Sequence, residues 1–420
     1  MDGGIDDPML GHAADLRGFI ESSPSSYHAA HEASRRLDAA GYARQREEEP
    51  WSARPGGHYL RRGGAVVAWW VPEGAGPSSR FRVVGSHTDS PSLKLKPQPH
   101  SRAHGFSQVD VEPYGGLVPN AWLNRDLGVA GRLICADGAE RLFSTGEPVM
   151  FVPQLAPHLH REDALTLDRQ RHLHPVWATG DRSILGRIAQ AAGAAPGDVV
   201  GMDAYAYDTQ APAVVGSEFL AAQRQDNLVS VHASLTALLA ADSREIAVLA
   251  AFDHEEVGSS TTTGANGPLL ERVLQRTALA LGASWDEYFR MLAGSSCVSA
   301  DAGHSVNPNY PEYYEPCHYP VAGGGPVVKL NANQRYASDG PGQALWLRAC
   351  RRAGQPTQEF VSNNAVPCGS TIGPSTATRL GIDTVDVGVP LLSMHSVREV
   401  SHLRDSWALA AIRRGYWELD

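Results

Sequence analysis

Five short stretches of the chain carry two imidazoles and five carboxylates, with no thiolate among them. They are His87 and Asp89 in GSHTDS, Asp226 in RQDNL, Glu255 and Glu256 in DHEEVGS, Asp301 in SADAGH, and His395 in MHSVRE. Oxygen donors mixed with imidazole suit a pair of closely spaced divalent cations, and such pairs activate water. The chain therefore reads first as a hydrolase.

Each stretch also has a plainer reading. His87 and Asp89 are two apart, so in extended backbone both face one way, where one can bind metal while the other orients it. A polar loop after a strand would look the same. Asp226 is either a helix N-cap or a carboxylate with one oxygen on each of two cations. Glu255 and Glu256 follow the apolar run AVLAAF with no charge partner nearby in sequence. A solvated turn tolerates such a pair, but a functional site explains it better. Their side chains diverge, so one can bind metal while the other faces the attacking water. Asp301 closes the strand-like run SSCVSAD. Ser396 and Glu399 match a capping box, which predicts that the last helix starts there with His395 just before it. Charge adds a constraint. Two divalent cations bring four positive charges, Asp226, Glu256 and Asp301 bring three negative ones, and a hydroxide supplies the fourth. Glu255 is then left to take the proton of the water.

The elements that must hold these residues follow from pattern. Residues 13–40 carry apolar positions at helical spacing, and FRVVG is a short buried strand ending at SHTDS. Residues 101–213 change texture, with Gly and Asp-Gly turns between runs that read as antiparallel strands. The domain division is thus 1–98 with 216–420, interrupted by an insert at 99–215. After Gln225, strands alternate with helices: a helix at 227–241, the strand EIAVLAAF, a helix at 269–281, strands in SSCVSAD and PVVKLN, a helix at 342–353, the strand TVDVGVP and a last helix from Val397. This order implies an α/β/α sandwich around a mixed, largely parallel sheet. Sites in such sheets sit beyond the carboxyl ends of strands, where four of the five stretches fall.

Composition bounds the partners. The 420 residues are 42% hydrophobic and 20% charged, with 46 acidic and 36 basic side chains and a formal net charge of −10. Nucleic acid is excluded by that balance, since phosphate backbones are held by clustered Lys and Arg. An acidic ligand would need a local cationic anchor. Five scattered cysteines without a CxxC pair point to a reducing compartment. No run approaches the ~20 apolar residues of a membrane span. A soluble, cytoplasmic enzyme is expected.

The motifs GSHTDSPSLKLKP, RQDNL, DHEEVGS, SADAGHSVNPNY, NANQRYAS, PCGSTIGP and MHSVREV resemble, in order, those of the aspartyl aminopeptidase family of co-catalytic zinc exopeptidases. The resemblance runs from SPSSYHAA to GYWELD, nearly the whole chain. It implies a metallopeptidase sandwich interrupted by a β-rich dimerisation domain, and removal of N-terminal acidic residues (Asp or Glu) from peptides. The metal ligands would be His87, Asp226, Glu256, Asp301 and His395, with Asp226 bridging two ions, zinc first and Mn or Co also accepted by this ligand set. Glu255 would be the general base and Asp89 the partner of His87. Lys329 in PVVKLN would read the acidic side chain, helped by His304 and Tyr336. An edge-strand lysine left in solvent is the plain alternative. The family assembles as a tetrahedral dodecamer of dimers, in which His158 of PQLAPHLHRE would reach a neighbour's site. Read from its own stretch alone, His158 is a surface histidine. The chain departs from the family pattern at His254, where Asn is common, and ends soon after its last helix. Relatives preferring neutral residues, another amide hydrolase on this scaffold, and an inactive scaffold protein are the alternatives.

Overall fold

The run Ile246–Phe252 buries all seven of its side chains, which is possible only for a strand covered on both faces. It pairs in parallel with Phe81–His87, which pairs in parallel with Ser296–Ala300, and that strand pairs in parallel with Asp383–Gly388. This computed structural model describes residues 8–419. The four parallel strands are the centre of a nine-stranded mixed sheet. Ala65–Val71 and Gly56–Arg62 extend it antiparallel on one side. Val327–Leu330 adds antiparallel to Asp383–Gly388 on the other, and Gln358–Val361 follows parallel.

Period-two alternation divides the side chains of this sheet between two layers. Leu249, Ala251, Val298 and Val385 face a core shared with the helices Pro8–Glu21, Ser26–Ala39, Gln225–Ala240, Gly340–Ala353 and Leu403–Trp417. Val248, Ala250, Val83 and Cys297 face a second core, closed by the helices Leu269–Ala280, Trp285–Ala293 and Gly373–Leu380. The architecture is the expected α/β/α sandwich. The N-terminal helical stretch is two helices, the second capped by Ser25, whose hydroxyl accepts from the His28 N–H.

A six-stranded sheet runs from Ser92–Ala103 to Val199–Asp208 and has a core of its own, with Leu93, Val111, Val129 and Leu133 packed against Ile184 and Ile188. A third sheet of five short strands joins Ala213–Val215, Phe219–Ala222, Glu399–His402, Pro390–Leu392 and Gly303–His304. This third sheet corrects one expectation. Glu399 opens a strand rather than a capping box, and the last helix begins at Leu403 with His402 as its N-cap. The pairing of Leu391 with Ser401 and Leu392 with Val400 prevails over the local capping signal, and it turns residues 393–398 into a hairpin loop. No described helix is long and apolar enough to cross a membrane.

Candidate metal centre

The parallel strands empty at one end of the sheet, and the seven residues of the five motifs meet there. His87 is the last residue of Phe81–His87 and is fully buried. Its Nδ1 bonds the Asp89 carbonyl oxygen at 3.1 Å, which leaves Nε2 aimed into the site. That Nε2 lies 3.5 Å from Asp226 Oδ1, 3.4 Å from Asp301 Oδ1 and 3.9 Å from Glu255 Oε2. On the other side, His395 Nε2 lies 3.2 Å from Asp226 Oδ2 and 3.5 Å from Glu256 Oε2. Asp226 therefore turns one oxygen to each imidazole, the arrangement a bridging carboxylate requires.

Asp226 caps nothing. It sits at the start of Gln225–Ala240 with φ/ψ of −81° and 101°, outside the helical region, and the preceding Arg224 occupies the N-cap position. Its backbone N–H donates to Glu399 Oε2 at 2.9 Å. The other oxygen of Glu399 accepts from the His395 N–H at 2.8 Å, so one buried carboxylate ties two motifs together. Sequence reading missed this role of Glu399. Its place three residues after Ser396 was read as a helix cap instead.

The adjacent acids are also explained. Asp89 Oδ1 accepts from the Glu255 N–H and Oδ2 from the Glu256 N–H, each at 3.1 Å. The turn is thereby pinned from behind, with Glu255 and Glu256 both turned into the site. Arg224, His254 and His395 all have φ near +60°. Left-handed backbone costs a non-glycine residue about 1–3 kcal/mol and persists where surrounding contacts over-determine it, as at functional sites.

Electrostatics mark the same cluster. Burial first, then the charges of Asp301, Asp89 and Asp226, push the Glu255 carboxyl up to about 8 against the pull of His87. Burial raises Glu256 well above its usual range as well. Burial pulls His395 down, but Asp226, Glu256 and Glu399 more than reverse it and carry it to about 10. The protein concentrates negative charge that divalent cations would neutralise, and such cations invert the local proton balance.

Chemistry tests whether these residues fit metal. His87 Nε2, Asp226 Oδ1 and Glu256 Oε1 are buried without a hydrogen-bond partner. Orphaned buried polar atoms are costly unless an ion or water satisfies them. Among the described residues, donor atoms within 4.8 Å of one another form three trios: His87, Asp226 and Asp301; His87, Glu255 and Glu256; and Asp226, Glu256 and His395. The donor set fits a divalent metal centre.

Opening from the cluster is a cavity of about 330 Å³. Lys329, His304, Tyr336, Phe360, Met394 and the loop residues Gly369 and Ser370 form its other wall. Lys329 belongs to an interior strand, is only 3% exposed, and donates from Nζ to the Ala302 carbonyl at 2.7 Å. The solvent-exposed edge lysine is thus overturned. Its ammonium lies 5.4 Å from the Tyr336 ring centroid, within cation–π range. His304 is exposed at the mouth, whereas Tyr336 is buried. His158 is exposed in a loop and does not line this cavity. Phe360, Met394 and Ser370 went unread in the sequence because nothing local distinguishes a cavity wall from a core or a turn.

Comparison with known proteins gives the site its family. The family model described as Aminopeptidase I zinc metalloprotease (M18) matches residues 19–416. The chain belongs to the M18 aminopeptidase family. It is 50% identical to a probable M18 family aminopeptidase 2 of Streptomyces avermitilis, over 95% of this chain and 96% of that one. It is 43% identical to the protein of that description from Mycobacterium leprae, over 98% of this chain and all of the other. Among solved structures, a chain in the cryo-EM structure of the Ape4 and Nbr1 complex superposes with a TM-score of 0.94 at 30% identity, covering 99% of this chain and 87% of that chain. The S. cerevisiae mApe1 dodecamer superposes with a TM-score of 0.84 at 29% identity, covering 96% and 95%. The M18 chain is therefore a metallo-aminopeptidase, a hydrolase acting on peptides, from a family of zinc metalloproteases.

Proposed function

We propose that the M18 chain removes N-terminal residues from peptides with two divalent cations, and that it prefers acidic residues. The observation that carries the two-metal reading is Asp226, whose two oxygens face His87 and His395 respectively. His87 and Asp301 would hold one ion, His395 and Glu256 the other, and Asp226 both, with zinc the first choice. When bound, the ions supply Lewis-acid polarisation of the scissile carbonyl and acidify water at neutral pH. Glu255 takes a proton from the attacking water and passes it to the departing amine, so that water and amide become carboxylic acid and amine. Asp89 holds the Glu255 and Glu256 backbone in place while its carbonyl fixes the orientation of His87.

Acidic preference rests on Lys329. Its ammonium is the cation at the cavity's far wall, it is desolvated, and its partners there are a carbonyl and a ring face. A substrate carboxylate would complete it. His304 and Tyr336 would flank that carboxylate. We assign residues 99–215 to an inserted dimerisation domain and the assembly to a homo-oligomer, a tetrahedral dodecamer of dimers, in which His158 lines a neighbour's site. Its exposure in this chain supports that role. Cytoplasmic residence belongs to the same reading, supported by five free cysteines.

Metal analysis combined with a panel of aminoacyl anilides tests the proposal. Two divalent ions per chain and the highest kcat/KM on Asp and Glu anilides are expected. One ion per chain would remove the two-metal reading, and a flat or neutral-favouring panel would remove the acidic preference. Faster turnover of an N-acyl amino acid would replace the aminopeptidase with another amide hydrolase.

A further inference from the structure

The six-stranded sheet reaches into the metal centre. Its strand Phe106–Tyr114 ends beside Asp89, and the Tyr114 hydroxyl donates to Asp89 Oδ2 at 2.8 Å. That oxygen also accepts the Glu256 N–H. The next residue, Gly115, has φ +70°, and a Cβ there would stand 3.0 Å from Glu256 Cβ and 3.2 Å from its carbonyl oxygen. Gly116 follows, and its carbonyl accepts from His395 Nδ1 at 3.1 Å. A Cβ at Gly116 would stand 3.3 Å from that nitrogen. Val118 then donates its N–H to the His395 carbonyl at 3.0 Å. Leu117 and Trp122 anchor the segment in the core of the six-stranded sheet, where Val397 from the His395 loop joins them.

We propose that Tyr114–Val118 is a positioning strap for the metal centre. Two glycines let the backbone approach closely enough to set the His395 tautomer directly, with Nδ1–H on Gly116 and Nε2 left to coordinate. Tyr114 acts through Asp89 on the Glu255–Glu256 turn. The inserted sheet is thereby part of the catalytic apparatus of its own subunit, whatever it does between subunits. This inference rests on the two-metal reading above.

Tyr114→Phe removes one hydroxyl at constant shape. Val118→Pro removes one N–H, at a position whose φ of −84° proline can adopt. Gly115→Ala adds the clashing Cβ. Zinc affinity by chelator competition, kcat and KM on one anilide, and the thermal midpoint are measured for each. Zinc affinity or kcat should fall about 10-fold in the first two variants, in line with the ~10–100-fold effect of groups that orient metal ligands. The loss should be larger in Gly115→Ala, with KM within about twofold and the midpoint of Tyr114→Phe close to wild type. Wild-type zinc affinity and kcat in both Tyr114→Phe and Val118→Pro would overturn the strap. Losses that only track a lowered midpoint would overturn it too. A wild-type chain that binds fewer than two ions would instead sink the underlying reading, and the strap with it.

Discussion

The two walls of the cavity are built in opposite ways. On the metal side, His87, Asp301 and the two glutamates come from the ends of buried parallel strands. Behind them stand further polar groups: the Asp89 carboxylate and carbonyl, Glu399 and the Gly116 carbonyl. On the far side, Lys329 and Phe360 come from paired strands of the sandwich sheet, while His304 comes from a short strand and Tyr336 and Ser370 from loops. Its one strong charge donates to a carbonyl, lies near a ring, and interacts electrostatically with the buried Asp386 carboxylate. The first wall is over-determined, as the proposed metal centre would require. The second is left incomplete, as a surface awaiting a substrate should be.

The contrast can be broken at four points. Glu255→Gln keeps the shape but cannot take a proton. Turnover should fall ~10²–10⁴-fold with metal content unchanged, and near-normal kcat would end its role as base. Glu399→Gln replaces one of the two acceptors that join Asp226 to His395 with a donor. Metal affinity should weaken ~10–100-fold in chelator titration. Unaltered affinity would mean that the metal-side wall is less interdependent than its hydrogen bonds suggest. Lys329→Ala should cost acidic substrates about 1.5–3 kcal/mol in kcat/KM, the range for hydrogen bonds to charged groups, and neutral ones much less. Equal losses on both would move Lys329 from recognition to structure. Tyr336→Phe keeps the ring under the ammonium, so kcat/KM on an Asp anilide should change less than about threefold; a larger drop would assign the hydroxyl a direct substrate contact.

Legibility followed the same division. The seven residues that converge at the end of the sheet were readable because imidazole and carboxylate carry their chemistry in their type. The parallel sheet was readable because strands alternate with helices after Gln225. The start of the last helix was misread, since Ser396 and Glu399 satisfied a local rule that sheet pairing overrode. Tyr114 to Val118 looked like a turn, and its effect on His395 passes through backbone atoms 279 positions away.

What the sequence determined by itself was the inventory: which donors exist, that most of them belong to strand ends, that the sheet is covered on both faces, and that the acidic chain needs a cation for an acidic ligand. What only the tertiary structure decided was direction. Asp226 presents an oxygen to each imidazole, Lys329 is buried with its ammonium on the cavity, and Glu399 turns inward to join two motifs. Side-chain type is a local property of the chain. Orientation is fixed by contacts between segments hundreds of residues apart, and those exist only once the core has formed.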